Sequence, residues 1–563
     1  MKSQHRILLA VALSAAFFIL WHTVISPPKK EATPPPAAQS AQAETGQATP
    51  TPQATAPAAA AAKPAAANDP QARIPVAFAT IKNELIEVDV TNDGGTVTSW
   101  RAKEYRQTPD AASPPTDLAM SEPGLPAPLA LSLDGAALGV PDNPRFEIVE
   151  TGDSRVVLRW TSPKIELTKT ISLQPMSYVA DVAVDVKNRS SEPITVRPAL
   201  EWSGVNQPQK KGGFFSFLKG QQADIKQPVY FIDGKARRAT DVQKLVRPAS
   251  FTGSVYWAGI ESRYFLSAVI PRMQGEGLAA EYGNAGQPAD AQSPQGLWAG
   301  VALPSTAIPA GETAKSAFSV YAGPKEMSQL KTLGVRLEEA IDYGWFTVIA
   351  VPILYLLRFF YKIINNYGIA IILLTIFVKL LLHPINVRSL KSMKAMQQLQ
   401  PRLKELQQKF KDDKQKLNVE TMQLFRAHKV NPMGGCLPMV LQLPIYIALY
   451  KVLWSSIELY HAPFFWFYRD LSAPDPYLIT PILLGVFMVA QQLLTPSASA
   501  DPAQKRMMML MPIMFTGFML FLPVGLVIYI LVNTGMSVTQ QWMYNKGIGF
   551  MDLIRGRLGA KPA

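Results

Sequence analysis

One cysteine, Cys436, stands in 563 residues. A lone thiol excludes an intrachain disulfide framework. Its GGCLP setting, with no second cysteine or nearby histidine, argues against a metal site. Carboxylates are missing where the chain is most apolar: the long hydrophobic runs after residue 368 contain no Asp or Glu. A proton-coupled pump relies on such intramembrane acids, so that class is poorly supplied here. Neither HExxH nor a GxxxxGK phosphate loop occurs, and the apolar runs hold no Ser/His/Asp arrangement. The sequence therefore offers no catalytic residues and calls for no cofactor or metal.

Apolar runs dominate residues 344–545, whereas residues 74–330 have the balance of an ordinary soluble domain. At the start, Lys2, His5 and Arg6 precede the run Ile7–Ile25, and the exit WHTVISPPKK has no small-x-small cleavage site. This pattern predicts an uncleaved transmembrane anchor over residues 1–25 with its N-terminus in the cytoplasm. Residues 26–73 are rich in Ala, Pro, Gln and Thr and nearly devoid of large apolar side chains. Such a segment cannot bury enough surface to offset its ordering entropy, so a disordered linker is expected.

Residues 74–335 carry the period-2 pattern of half-buried strands. Ile86, Val88 and Val90 alternate with polar neighbours, as do Val182, Val184 and Val186, and NDGG at 92–95 is a turn signal. Further strands are expected at Arg155–Trp160, Lys164–Leu173, Val255–Ile260 and Tyr264–Ile270. Many short strands without long amphipathic helices predict a large antiparallel β-sandwich. Exposed tryptophans there would suit sugar stacking; buried ones would be core.

Residues 338–367, dense in aromatics and interrupted by Pro352, Arg358 and Lys362, suit an amphipathic helix lying at the membrane interface. Five spans are expected beyond it, at 369–385, 436–454, 477–494, 507–522 and 525–543, within a core of residues 368–545. With 7–25 they make six. Between the first two core spans lies a polar segment, 386–432. Its eleven Lys/Arg against four Asp/Glu give 11 − 4 = +7, out of a net +13 for the chain. Leu399, Leu403, Leu406 and Phe410 form a helical seam, Pro401 kinks that arm or starts a new helix, and Leu417–His428 can form a second arm. The expected shape is an antiparallel helical hairpin. An N-terminus inside puts the sandwich and the 455–476 loop outside. The hairpin, Lys505, Arg506 and the basic tail 546–563 then lie inside, as the positive-inside rule requires. Counting 338–367 as a span would invert the later loops and break the rule.

Lys379 sits well inside the run IAIILLTIFVKLLLHPI, where a central charge costs roughly 2.5–3.5 kcal/mol on insertion scales. Thr375, Lys379 and His383 share one helix face. Tyr529, Asn533, Ser537 and Gln540 share a face of the last span, and Gln442 lies within another. Either the lysine snorkels to the nearby surface and the others are interhelical glue, or together they line a hydrophilic concavity. The basic residues Arg402, Lys404, Lys409, Lys411, Lys414 and Lys416, with Lys505 and Arg506, likewise have two uses. They fix topology against anionic lipid, or they contact ribosomal RNA.

Four motifs carry a family resemblance: TIFVKLLLHPIN (375–386), DDKQKLNVETMQLFRAHKVNPMGGCLPMVLQLPIYIALY (412–450), DLSAPDPYLITPILLG (470–485) and MPIMFTGFMLFLPVGLVIYILVN (511–533). Over roughly 340–545 the chain resembles the YidC membrane-protein insertases of Gram-negative bacteria, relatives of the mitochondrial and thylakoid insertases. The anchor and sandwich fit that architecture more loosely. The resemblance implies a polytopic α-helical inner-membrane protein with a periplasmic sandwich and a groove open to cytoplasm and lipid. It also implies nascent membrane proteins, the ribosome, the signal recognition pathway and the Sec translocon as partners, with no DNA among them. The family's groove carries an arginine on its second span; the matching position here is Lys379, which keeps the charge and loses the guanidinium fork. The rival class, a solute transporter or channel, predicts inverted repeats and paired broken helices, and the sequence displays neither.

Overall fold

The computed structural model describes residues 74–546, apart from 120–126, 134–137, 142, 207–224, 240–241, 243–244, 246–247, 276, 285–293, 411–412, 429, 431–436, 466 and 495–501, and omits the side chains of 414, 437–439 and 502–508. The anchor at 1–25, the linker at 26–73, Cys436 and the tail beyond Lys546 lie outside the described residues.

The period-2 segments are strands, and every described pairing among them is antiparallel. Ile165–Leu173 alternates buried and half-buried residues along its whole length, as a strand with one face on a core must. The strands form a nine-stranded sheet, a five-stranded sheet, a four-stranded sheet and a two-stranded ribbon. Gly94 and Gly95, in the predicted turn, both take positive φ (67° and 59°), a conformation that favours glycine. Trp100 ties the layers together. It lies on the four-stranded sheet, meets Trp202 of the five-stranded sheet edge-on at 5.5 Å, and donates its indole N–H to Ala322 O of the nine-stranded sheet at 2.9 Å. All five tryptophans of the domain (Trp100, Trp160, Trp202, Trp257 and Trp298) are buried, so none presents an open ring for sugar stacking.

Nine α-helices follow among the described residues: α1 (Met327–Thr332), α2 (Thr347–Ile364), α3 (Tyr367–Gln398), α4 (Gln400–Lys409), α5 (Lys414–Ala427), α6 (Leu437–Ser455), α7 (Ile479–Leu494), α8 (Pro502–Met519) and α9 (Val524–Asn545). The apolar run that begins at 369 does not end as a helix at 385. Helix α3 continues through Pro384 to Gln398, so the first third of the basic segment extends the same rod. Hydropathy marks where lipid contact ends, not where backbone hydrogen bonding ends. One proline removes a single donor, which membrane helices tolerate. Pro401 then opens a new helix, α4.

By length and apolarity alone, two described helices could cross a bilayer: Gly344–Ile364 and Tyr367–Gln398. The apolar parts of α6, α7 and α8 are shorter, and α9 is diluted by Asn533, Ser537, Gln540 and Gln541. At about 1.5 Å per residue, the 16 residues of α7 reach roughly 24 Å, short of a ~30 Å hydrocarbon core.

The start of α3 is clamped to the loop after α6. Asn366 accepts the Ile369 N–H at 3.0 Å and donates to Phe464 O at 2.8 Å. A Cβ on Gly368 would lie 1.9 Å from the Phe464 ring, so only glycine permits that approach. The sandwich is docked on the same loop. Ile457 belongs to the sandwich's own core, and Tyr460 packs on Tyr264 and Phe265 at 5.0 and 5.6 Å. Arg263 reaches across to the end of α6, donating to Trp454 O at 2.7 Å with its guanidinium 3.8 Å from the Trp454 ring centroid.

Candidate functional site: the polar seam between the membrane helices

Helix α9 packs against α3, α6 and α7, which brings the two sequence-predicted polar stripes face to face. Lys379 does not snorkel. Only 6% of it is exposed, and its ammonium turns inward to donate to Asn533 Oδ1 at 3.2 Å and Ser537 Oγ at 2.6 Å. Ser537 Oγ in turn donates to Asn533 O at 2.9 Å. One turn deeper, Gln442 Nε2 donates to Tyr529 OH at 2.9 Å. One turn the other way, Gln540 Nε2 and His383 Nδ1 meet at 3.2 Å. Seven of the eight residues expected in the groove are therefore joined across helices. Thr375 is the exception: it is buried, but its hydroxyl donates to Ile371 O of its own helix at 2.7 Å.

Tyr446 joins the seam without having been expected there. Its hydroxyl accepts from Asn533 Nδ2 at 2.6 Å, and its ring stands edge-on to Tyr529 at 5.6 Å. The signal was available, since Tyr446 lies four residues after Gln442 and hence on the same helix face. Gln541 was missed too; it donates to Leu494 O at 3.0 Å, satisfying a carbonyl at the end of α7.

The electrostatics are one-sided. Helices α3, α6, α7, α8 and α9 contain no carboxylate, and the groups Lys379 meets are neutral oxygens. A buried cation normally has an anionic partner, because desolvation is otherwise uncompensated. Two neutral acceptors hold the ammonium in place without neutralising it. The seam thus joins its polar side chains to one another while leaving the charge of Lys379 without an anionic partner among these contacts.

The basic hairpin closes on a small core of Leu399, Leu403 and Phe425, with Met396, Met422, Leu424 and Val430 around it. Leu406 and Phe410 are half-buried, and the ammoniums of Lys409 and Lys416 stand 5.6 and 5.4 Å from the Phe410 ring centroid. Asp413 caps α5 by accepting the Lys416 N–H at 2.9 Å. His428 joins the arms: Nδ1 donates to Leu424 O at 3.0 Å, which leaves Nε2 to accept from Arg402 at 2.9 Å. Arg402, Lys404, Lys409 and Lys416 are exposed. Lys411 lies outside the described residues, as do the side chains of Lys414, Lys505 and Arg506.

Fold and site together define an integral membrane protein with a β-sandwich outside the bilayer and a polar, cationic seam between its helices. Comparison with known proteins narrows that class. Residues 79–356 match the family described as the YidC periplasmic domain, and residues 359–550 match the 60Kd inner membrane protein family. The membrane protein insertase YidC of Syntrophus aciditrophicus is 36% identical, over 96% of this chain and 99% of that protein. The Geobacter metallireducens protein of the same name is also 36% identical, over 97% and 99%. A solved structure described as an active YidC insertase with its first transmembrane domain resolved covers 83% of this chain and 94% of its own. It does so at 16% identity and a TM-score of 0.36, too low to carry structural detail across. The chain belongs to the YidC family of membrane protein insertases.

Proposed function

We propose that the seam around Lys379 receives the hydrophilic tail or hairpin of a nascent membrane protein and lowers the desolvation barrier to its translocation. The observation that carries this reading is the buried ammonium held by neutral oxygens in a helical core without carboxylates. A hydrated, acidic segment entering there exchanges water for Asn533, Ser537, Tyr529 and Gln442, and gains a cation. Its apolar span then leaves sideways into lipid, past faces such as Ile482, Val486 and Leu493 of α7, which are more than half exposed. The transporter alternative finds no support in the family assignment. A photocrosslinker at position 379 should capture ribosome-bound nascent chains, whereas one at the outward-facing Leu381 should capture lipid or later intermediates. Absence of nascent-chain adducts from 379 would overturn the reading.

In the topology we propose, both termini are cytoplasmic, six spans cross the bilayer, and α2 lies along the outer interface. Arg358, in the middle of α2, and Asn366, just after its end, both contact the 457–468 loop. That arrangement suits a helix running parallel to the membrane better than one crossing it. Val348, Tyr355, Phe359 and Ile363 form its exposed apolar stripe, continued by Trp345 in the turn just before it. After Cys436 is replaced, single cysteines at the exposed positions 312 and 465 should react with an impermeant maleimide from outside, and those at 405 and 500 should not. Labelling of 405 from outside would refute the scheme.

The exposed lysines and arginines of the hairpin fit contact with ribosomal RNA, and the ribosome, the signal recognition pathway and the Sec translocon are the partners proposed with it. Reversing Arg402, Lys404, Lys409 and Lys416 to Glu should abolish co-sedimentation with ribosomes at physiological salt. Unchanged co-sedimentation would leave those charges to topology and lipid. Co-purification from solubilised membranes tests the Sec translocon.

A further inference from the structure

We infer that Tyr446 is a positioning residue for Lys379, acting through the Asn533 amide; this rests on the groove reading above. The amide of Asn533 is a bridge with a direction. Its Oδ1 accepts from Lys379 Nζ at 3.2 Å and its Nδ2 donates to Tyr446 OH at 2.6 Å. An ammonium only donates, so Lys379 selects Oδ1, but an asparagine amide turns about a broad terminal torsion and, held at one end only, does not fix where that oxygen stands. The phenol supplies the other end: by accepting from Nδ2 it holds the amide plane and so the place of Oδ1, and Ser537, whose hydroxyl donates to Asn533 O, is the second acceptor.

The three groups come from three helices, α3, α6 and α9, so the chain of hydrogen bonds also fixes how those helices are spaced around the charge. Tyr446 never touches Lys379. Its influence on a client is therefore indirect, through where the ammonium stands and how firmly it is held.

Tyr446→Phe removes only the hydroxyl and keeps the ring that packs edge-on against Tyr529. In the full-length protein reconstituted in vesicles, the ratio of insertion of acidic-tailed to neutral-tailed clients should fall three- to tenfold. Asn533→Leu should lower that ratio equally, and the double variant should fall no further, because both act on one bridge. A purely structural role would lower both clients alike and leave the ratio unmoved. A second measurement follows the lysine itself. Acylation of Lys379 by a membrane-permeant succinimidyl ester, read by mass spectrometry, should accelerate at least threefold in Tyr446→Phe. An unchanged ratio would overturn the inference whatever the acylation rate, and so would a lowered ratio with an unchanged acylation rate, since the lysine would then not have been released. If Lys379→Ala leaves the ratio unchanged, the groove reading itself falls; if Lys379→Ala lowers it and Tyr446→Phe does not, only the positioning role falls.

Discussion

Lys379→Glu should nearly abolish insertion of clients with acidic translocated tails while leaving the protein folded. The ammonium faces neutral oxygens, so its charge is available to a client. A unit charge pair at ~4 Å and an effective dielectric of about 20 is worth about 4 kcal/mol; allowing for water in an occupied groove leaves about 1.5–2 kcal/mol, or some ten- to thirtyfold in rate. Lys379→Ala should therefore slow acidic clients by about tenfold and neutral ones much less, and reversal to Glu should cost acidic clients roughly another tenfold through repulsion. Lys379→Arg keeps the charge and should retain most activity, with a fork that can engage Asn533 and Ser537 together. Stability should move the other way from function. Removing a buried charge that has no anionic partner should leave thermal stability of Lys379→Ala unchanged or raised. Protease protection of the translocated tail, across tails of graded negative charge, is the measurement. Equal insertion by wild type and Lys379→Ala at every tail charge would eliminate the groove-cation role.

Much of this site is legible in the sequence as periodicity and little of it as pairing. The spacing of Lys379 and His383, and of Tyr529, Asn533, Ser537 and Gln540, follows from 3.6 residues per turn, so residue order alone defines each stripe. Which stripe meets which is not defined that way. It depends on how α9 settles among α3, α6 and α7, a packing of apolar surfaces with no local signature. Tyr446 escaped because an aromatic in an apolar run reads as lipid-facing or core until its hydroxyl is seen to have a partner. The same division holds in the sandwich. The strand pattern pointed to Lys164–Leu173 and Val255–Ile260, and the strands run Ile165–Leu173 and Val255–Glu261. Sheet order was hidden, because it rests on pairings such as Thr313 with Lys187 that are distant in sequence. The apolar run stops at 385 and helix α3 runs on to Gln398, so hydropathy bounds a span and does not show where its helix ends.

Arg358→Ala should be among the most destabilising single substitutions in the helical region. The guanidinium donates to Glu458 Oε1 from Nε at 2.8 Å and again from its terminal nitrogen, with Glu326 at 4.0 Å. These residues come from α2, from the loop after α6 and from the segment leading out of the sandwich, so one side chain joins three parts of the molecule. The Glu458 side chain is only 10% exposed. Truncating the arginine leaves that carboxylate buried and unpaired, a change that costs about 3–5 kcal/mol in comparable buried pairs. Glu458→Ala should cost somewhat less, since Glu326 remains to the arginine. The pair's value as a replacement is small, however: Arg358→Met combined with Glu458→Leu should come within about 1 kcal/mol of wild type, because both desolvation penalties disappear together. Melting of the detergent-solubilised protein, followed by aggregation on heating, separates these cases. A single alanine variant that melts with the wild type would remove the pair as the anchor of α2. A double variant as unstable as Arg358→Ala would mean that the ionic contact itself, and not the avoidance of an orphaned charge, holds the helix to the loop.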